Sequence, residues 1–333
     1  MQHFNQYYFS KEDQHMARQT QPDFANVEQA VMAIGDCFRN NIGQAVRQIR
    51  TKDKRIGVLL SGGVDSSLLL AMLRQHTDAD IVCFTALAEN DDPDVLPSKE
   101  IAHAFKAKWV KCRIKKHDLP EQLPPLLKLS YGGLYDTAGN LALDSCMRYC
   151  QAEGITNLWT GNGLDMMFGG GVDPTRFDDK DQETFHNQFW DFVFDLLTNR
   201  FYKQTGDEID TLASRYGVKI IMPFENLDSI ICARRISANM LFQKDEDKYP
   251  VRVLAHRYGV PLHLARRQKD PLQHSSGMFD VLREYMYDTL PKIVHDAVNF
   301  KLTPSYFASN PDTDLQVFLT LLAEQSKRGN QAS

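Results

Sequence analysis

One stretch constrains this chain more than any other: Ser61-Gly62-Gly63-Val64-Asp65-Ser66, set between the apolar runs 56–60 and 68–73. The run before it reads as a buried parallel strand, and the run after it as a helix packed back onto that strand. Nothing in a hydrophobic core requires serine and glycine between them. Gly62 and Gly63 let the backbone turn sharply, so that N–H groups converge at a helix N-terminus. That concavity is an anion site, and the helix dipole adds to it. Ser61, Ser66 and Ser67 offer hydroxyl donors to phosphate oxygens. Asp65 would repel a phosphate unless a cation lies between them, which predicts Mg²⁺. The loop is shorter than the G-x-x-x-x-G-K-[ST] pattern and has no lysine, and it is not G-x-G-x-x-G either.

The surrounding pattern alternates. Helical spacing over Val27, Ala30, Val31, Ile34, Phe38, Ile42, Val46 and Ile49 predicts a long helix before the first strand. Strands are predicted at 81–87 and 109–114, with helices at 99–107, 119–129 and 141–153, a turn at 91–94 and a break at 131–136. The fold class that follows is α/β, a parallel sheet with helices on both faces and a mainly helical C-terminal part. A short strand at 157–160 runs into a second glycine-rich loop, Thr160-Gly161-Asn162-Gly163-Leu164-Asp165 through Phe168-Gly169-Gly170-Gly171. It sets a second carboxylate beyond the carboxyl end of a strand, where open α/β sheets bind ligands. Asp65 and Asp165 could then share one Mg²⁺ and one pyrophosphate.

Residues 172–216 read as a helical insertion whose aromatics Phe185, Phe189, Trp190, Phe192, Phe194, Phe201 and Tyr202 are core rather than binding surface. A strand is predicted at 218–224 and a helix at 227–241. The charged run 244–248, taken by itself, reads as a solvated turn. The domain expectation is an extended arm over 1–25, one catalytic domain over 26–290, and a polar tail over 291–333 with an apolar helix at 315–322.

Composition narrows the partners. Over 333 residues the net charge is −5, so no basic field makes nucleic acid the default partner. No apolar run reaches the ~18 residues of a membrane span, and the first residues lack the apolar core of a signal peptide. The six cysteines include no Cys-x-x-Cys pair, which leaves zinc and sulfur-transfer chemistry without support and fits a reduced cytoplasm.

S-G-G-x-D-S after a strand resembles the PP-loop of ATP pyrophosphatases, which split ATP between its α and β phosphates. The resemblance is broader than that loop. Thr160-Gly-Asn-Gly-Leu-Asp165 through Phe168-Gly-Gly170 is similar to S-G-E-G-x-D-E-x-F-G-G of the asparagine synthetase family, in its synthetase domain. Tyr216-Gly-Val218 with Pro223-Phe224 resembles that family's x-G-V-E-x-R-x-P-F-L-D. Lys248, Arg252 and Arg267-Gln-Lys269 resemble its K-x-x-L-R and R-x-K elements. The resemblance implies ATP and Mg²⁺ as cofactors. Ser61, Gly62, Gly63, Asp65 and Ser66 would hold pyrophosphate, with Asp65 and Asp165 on the metal. Leu60, Ala86, Thr160 and Gly161 would line the nucleotide, and Lys248 would join the pyrophosphate site. Lys269 would neutralise charge developing on the leaving pyrophosphate.

Departures from the family are informative. Its glutaminase half starts with a cysteine directly after the initiator Met, whereas Gln2 stands here and the loop follows at Ser61, so that half is expected to be absent. Nitrogen would come from ammonia, a substrate amine or a separate amidotransferase subunit. The second-loop glutamates are Asn162 and Met166, and Lys219 and Ile221 replace the Glu and Arg of the third motif. Asn162 and Lys219 therefore mark an expected altered acceptor pocket, for a small-molecule or peptide carboxylate other than simple aspartate. The leading expectation is an enzyme, an AMP-forming C–N ligase, with self-association left open. The alternatives are a nucleobase- or tRNA-modifying pyrophosphatase, which should show a basic patch or catalytic cysteines, and a non-catalytic nucleotide-binding protein.

Overall fold

A computed structural model of the chain describes residues 10–289 apart from 50–54, 89–91, 128, 130–132, 178–180, 199 and 244–245. The predicted tail helix at 315–322 lies outside the described residues, as do parts of the turn at 91 and the break at 131–132. The first element corrects an expectation: helix α1 (Lys11–Gln19) stands where an extended arm was predicted. The Ser10 hydroxyl accepts the Asp13 N–H at 3.0 Å, and the Asp13 carboxylate accepts the Ser10 N–H at 2.9 Å. This reciprocal cap starts a helix that buries only Ala17 and so carries no apolar stripe to betray it. Helix α2 (Val27–Gln48) starts at Asn26, whose side chain accepts the Gln29 N–H at 3.0 Å. Its predicted stripe is buried from Ala30 to Ile42, and Val27 and Val46 are partly buried.

Five strands form one parallel sheet: β1 (Arg55–Leu59), β2 (Asp80–Leu87), β3 (Lys108–Arg113), β4 (Asn157–Trp159) and β5 (Lys219–Ile221), in the order β3-β2-β1-β4-β5. Helix α3 (Val64–His76) joins β1 to β2, and α4 (Val95–Ala104) joins β2 to β3. The chain then crosses back through α5 (Leu119–Leu127) and α6 (Gly133–Ala152) to lay β4 on the other side of β1. Helix α6 starts at Gly133 rather than 141, because its first turns are polar and yet bury Thr137 and Asn140. Between β4 and β5 lie α7 (Leu164–Phe168), α8 (Gln182–Thr198) and α9 (Arg200–Arg215). After β5 come α10 (Leu227–Arg234), α11 (Tyr249–Arg257), α12 (Leu262–Ala265), α13 (Leu272–Ser275) and α14 (Met278–Thr289). Helix α10 stops before 241. The apolar spacing continues only because a separate single turn buries Ala238 and Leu241.

Both faces of the sheet are covered. Ile56, Val58, Ile81, Cys83 and Trp159 point into one cluster with α2, α3, α8 and α11, whereas Val82, Phe84, Leu158 and Ile220 point into another with α5, α6 and α9. The two-residue alternation of β2 is thus hidden in sequence, because both of its faces are apolar. In α8, Phe189, Trp190 and Phe194 are buried, and Phe189 meets Trp190 edge-on at 5.7 Å. Phe185 is buried with them and Phe192 partly so, as predicted, while the side chains of Phe201 and Tyr202 lie outside the described ones.

This topology fixes where a ligand can sit. Strand order reverses between β1 and β4, and the loops leaving their carboxyl ends diverge and open a crevice. Those loops are the two glycine-rich stretches.

Candidate active site

The first loop is held by its neighbours. Leu60 donates its N–H to Phe84 O at 2.9 Å, and Thr85 Oγ1 donates to Leu60 O at 2.6 Å. Gly62 has φ +69°, and a Cβ there would stand 2.6 Å from Pro97 Cβ, so no side chain fits against α4. Gly62 therefore shapes the loop from behind and does not line the cavity, unlike Ser61, Gly63, Asp65 and Ser66. Gly63 caps α3 with no side chain in the way. Ser67 was expected to offer a hydroxyl to phosphate, but it is buried beneath the loop and its Oγ has no partner.

The second loop lies directly on the first. A Cβ on Gly161 would stand 2.7 Å from Asp65 C and 2.9 Å from Ser66 N. Glycine is what lets two backbones touch here. Thr160 Oγ1 donates to Asn162 Oδ1 at 2.8 Å. Gly170 is equally confined: a Cβ would fall 2.0 Å from Asp165 Oδ1.

Between the loops stands Lys248. Its Nζ is 2.8 Å from Asp65 Oδ2 and 2.6 Å from Asp165 Oδ1. Lys248 is only 6% exposed and has φ +50°, a conformation that costs a non-glycine residue free energy and that tends to mark functional positions. Read alone, the charged run 244–248 looks like a solvated turn; the structure corrects that for its last residue. Burial pushes the Asp65 carboxyl up to about 6 against the pull of Lys248. Burial also works against the Lys248 ammonium, but Asp65 and Asp165 outweigh it and hold its pKa above the ordinary value. Asp65 Oδ1 is buried without a partner.

Arg252 ties the pieces together. It donates to Ala265 O and Arg267 O, both at 3.0 Å, and pairs with Asp247, which accepts the Gly171 N–H at 2.7 Å. The strap it holds carries Arg267 and Lys269 over the first loop. A Cβ on Gly63 would lie 2.9 Å from Lys269 Cδ, so the lysine stem rests on the first loop. Its Nζ is 3.3 Å from Asp94 Oδ2. Asp94 also takes Arg267 Nη2 at 3.0 Å and the Ser275 hydroxyl at 2.8 Å. The sequence reading treated Asp94 as part of a turn; Asp-Asp-Pro-Asp just beyond a strand's carboxyl end was the available signal.

These groups line a cavity of about 580 Å³. The lining is polar at Asp65, Asp165, Lys248 and Lys269 and apolar at Leu60, Phe84, Ala86, Leu143, Cys146 and Leu272. Asn162 lines it too. Lys219 does not. It opens β5 opposite Asn157, at the amino end of the strands, and it is exposed. The acceptor-pocket expectation for Lys219 is therefore corrected: the motif aligns it, but the strand direction carries it away. At the carboxyl end of β5 the buried group is instead Glu225, whose Cβ would be 3.3 Å from a Cβ on Gly163. Burial alone pushes Glu225 up to about 8. Asn226 caps α10 by accepting the Ser229 N–H at 2.9 Å and is structural.

The sequence model of the asparagine synthase family matches residues 38–205, half of the chain and both glycine-rich loops. This chain belongs to that family. A probable glutamine-hydrolysing asparagine synthetase of Dictyostelium discoideum is 23% identical over 187 residues, 49% of this chain and 33% of the relative. The aligned part thus spans about a third of that relative's length. The family match stops before Lys248, Arg252 and Lys269, so geometry alone brings those side chains to the loops of this synthase-family chain. Among the described residues no helix is long and apolar enough to cross a membrane.

Proposed function

We propose that the chain is an ATP-dependent synthetase that activates a carboxylate as its adenylate, releases pyrophosphate, and passes the acyl group to ammonia or an amine. The observation that carries this is the convergence of Asp65 and Asp165, from two loops at the switch point of the sheet, on one cation, Lys248.

The residues fit Mg²⁺. Asp65 has a buried oxygen with no partner, and Asp165 is 71% exposed at the mouth of the cavity. No cluster of three acidic or thiol–imidazole ligands exists among the described residues, so phosphate oxygens would complete the coordination. When bound, the ion neutralises the polyphosphate and withdraws charge from the α–β bridge. The protein's own part is positional. The N-terminal amides of α3 and the hydroxyls of Ser61 and Ser66 receive the β and γ phosphates. Leu60 and Ala86 hold the base, and Lys269 reaches the leaving pyrophosphate across Gly63. Asn162, in place of the family's glutamate, orients a nucleophile by hydrogen bonding but accepts no proton near neutral pH. That favours a substrate pair other than aspartate with ammonia. Cys146 lines the cavity as a small buried side chain, and burial raises the neighbouring thiols, Cys112 well above its ordinary value and Cys150 to about 12, so those two are packing rather than sulfur-transfer groups.

The test is product analysis. Candidate acids, ATP and Mg²⁺ should yield AMP and pyrophosphate, and Asp65→Ala should abolish both. ADP and orthophosphate as products would refute the reading. Transfer to a nucleobase or RNA, with no acyl acceptor, would select the pyrophosphatase alternative.

A further inference from the structure

Asp94 is a carboxylate lining a cavity built for phosphates, and no metal-binding partner accompanies it. It is 1% exposed. Its two oxygens take Arg267 at 3.0 Å, Lys269 at 3.3 Å and the Ser275 hydroxyl at 2.8 Å. These attachments are unequal. Arg267 is also anchored to Pro93 O at 2.9 Å, and Ser275 sits in the backbone of α13. Lys269 has no other polar partner among the described residues, and its contact is the longest of the three. Its stem already lies on Gly63, so rotating the terminal carbons moves the ammonium between Asp94 and the loop.

We propose that Asp94 is a counter-ion latch: it holds Lys269 while the phosphate loop is empty, gives it up to an arriving polyphosphate, and retakes it when pyrophosphate leaves. This rests on the reading that the cavity binds a polyphosphate. The physical consequence is a competition. A fixed negative charge beside the cradle repels the anion and offers Lys269 an alternative partner, so it lowers pyrophosphate affinity. A synthetase must release pyrophosphate after every turnover, and ground-state binding that tight would slow it. A scaffold role predicts the opposite, since loosening the strap should weaken the cradle.

The experiment is calorimetric titration of inorganic pyrophosphate with Mg²⁺ into the full chain, for wild type, Asp94→Asn, Lys269→Met and the double variant. Asp94→Asn keeps the shape and removes the charge. It should bind pyrophosphate about tenfold more tightly, and this gain should largely vanish in the Lys269→Met background. In pyrophosphate exchange its KM for pyrophosphate should fall together with kcat. Equal or weaker binding by Asp94→Asn overturns the latch. No binding by wild type overturns the polyphosphate reading and the latch with it. If Asp94→Asn does not fold, Asp94→Ser removes the same charge, keeps a hydroxyl towards Ser275, and is held to the same outcomes.

Discussion

Two ion clusters flank the first glycine-rich loop, and each is the inverse of the other. On one side a cation, Lys248, sits between two acids from two loops. On the other an acid, Asp94, sits between two bases from one strap. The difference lies in what each would exchange with a ligand. On the proposed reading, Mg²⁺ would take the place of the Lys248 ammonium between the carboxylates, and a phosphate would take the place of Asp94 at Lys269. The clusters also differ in which charge is sealed: Lys248 keeps 8% of its side-chain surface between acids that keep 19% and 71%, whereas Asp94 keeps 2% between bases that keep 16% and 18%.

Depth sets the first prediction. Lys248→Met takes the counter-charge from Asp65, whose Oδ1 is buried without a partner, and breaking a largely buried pair from one side is among the costliest substitutions. Asp165 faces solvent, so the loss should be about 3 kcal/mol at pH 7.5, and Asp65 should respond by taking up a proton. Urea denaturation should show that loss, with millimolar Mg²⁺ restoring part of it by binding the native state. A variant as stable as wild type, or indifferent to Mg²⁺, would end the parallel between ammonium and metal.

A further buried ionisable group sharpens the contrast because no counter-ion faces it among the described residues. Glu225 is raised to about 8 by burial alone. A carboxyl whose folded pKa lies above its unfolded value adds stability at low pH and loses that contribution as pH rises through the folded pKa. Glu225→Gln, neutral throughout, should match wild type near pH 4.5 and become the more stable protein by pH 9. The gap should be several kcal/mol, about 1.4 kcal/mol for each unit by which burial raises the carboxyl. Thermal melts across that range test it; a gap that does not grow with pH means Glu225 is paired in solution.

How much of this was legible depended on whether a residue's neighbours were local. The strand–loop–helix at 56–73 announces itself because Gly62 and Gly63 act on their own backbone. Gly161 was legible as part of a motif, but not as the contact that seats one loop on the other, since Asp65 is remote in sequence. Lys248 in isolation looked like solvated charge; only the family pattern singled it out, and burial explains why. Asp94 was missed because its partners Arg267, Lys269 and Ser275 come from a strap far along the chain. Helix α1 was missed for the reverse reason: its signal, Ser10 with Asp13, is local but has no apolar stripe behind it.

Lys219 gives the smallest expected effect and a check on motif transfer itself. The family pattern puts a glutamate at this position, and an opposite charge there suggested an anion-seeking acceptor pocket. The register argues otherwise. Lys219 pairs with Asn157 at the start of β5, and its N–H is given to Thr156 O at 2.7 Å. The strands are parallel, so everything that lines the cavity lies at their other end. Reaching it from Lys219 means passing the length of β5, from Lys219 through Ile221 to Met222. The side chain is exposed, and exposed charges contribute little to stability or to a distant site in physiological salt. Lys219→Ala and Lys219→Glu should leave kcat/KM for pyrophosphate exchange within about twofold of wild type and stability within ~0.5 kcal/mol. Asn162→Glu, at the cavity wall, should alter amide formation with ammonia or an amine, an assay in which the Lys219 variants should match wild type. A large effect at Lys219 with none at Asn162 would mean that the acceptor enters from the amino end of the sheet, and the switch-point site would lose its claim to the second half-reaction.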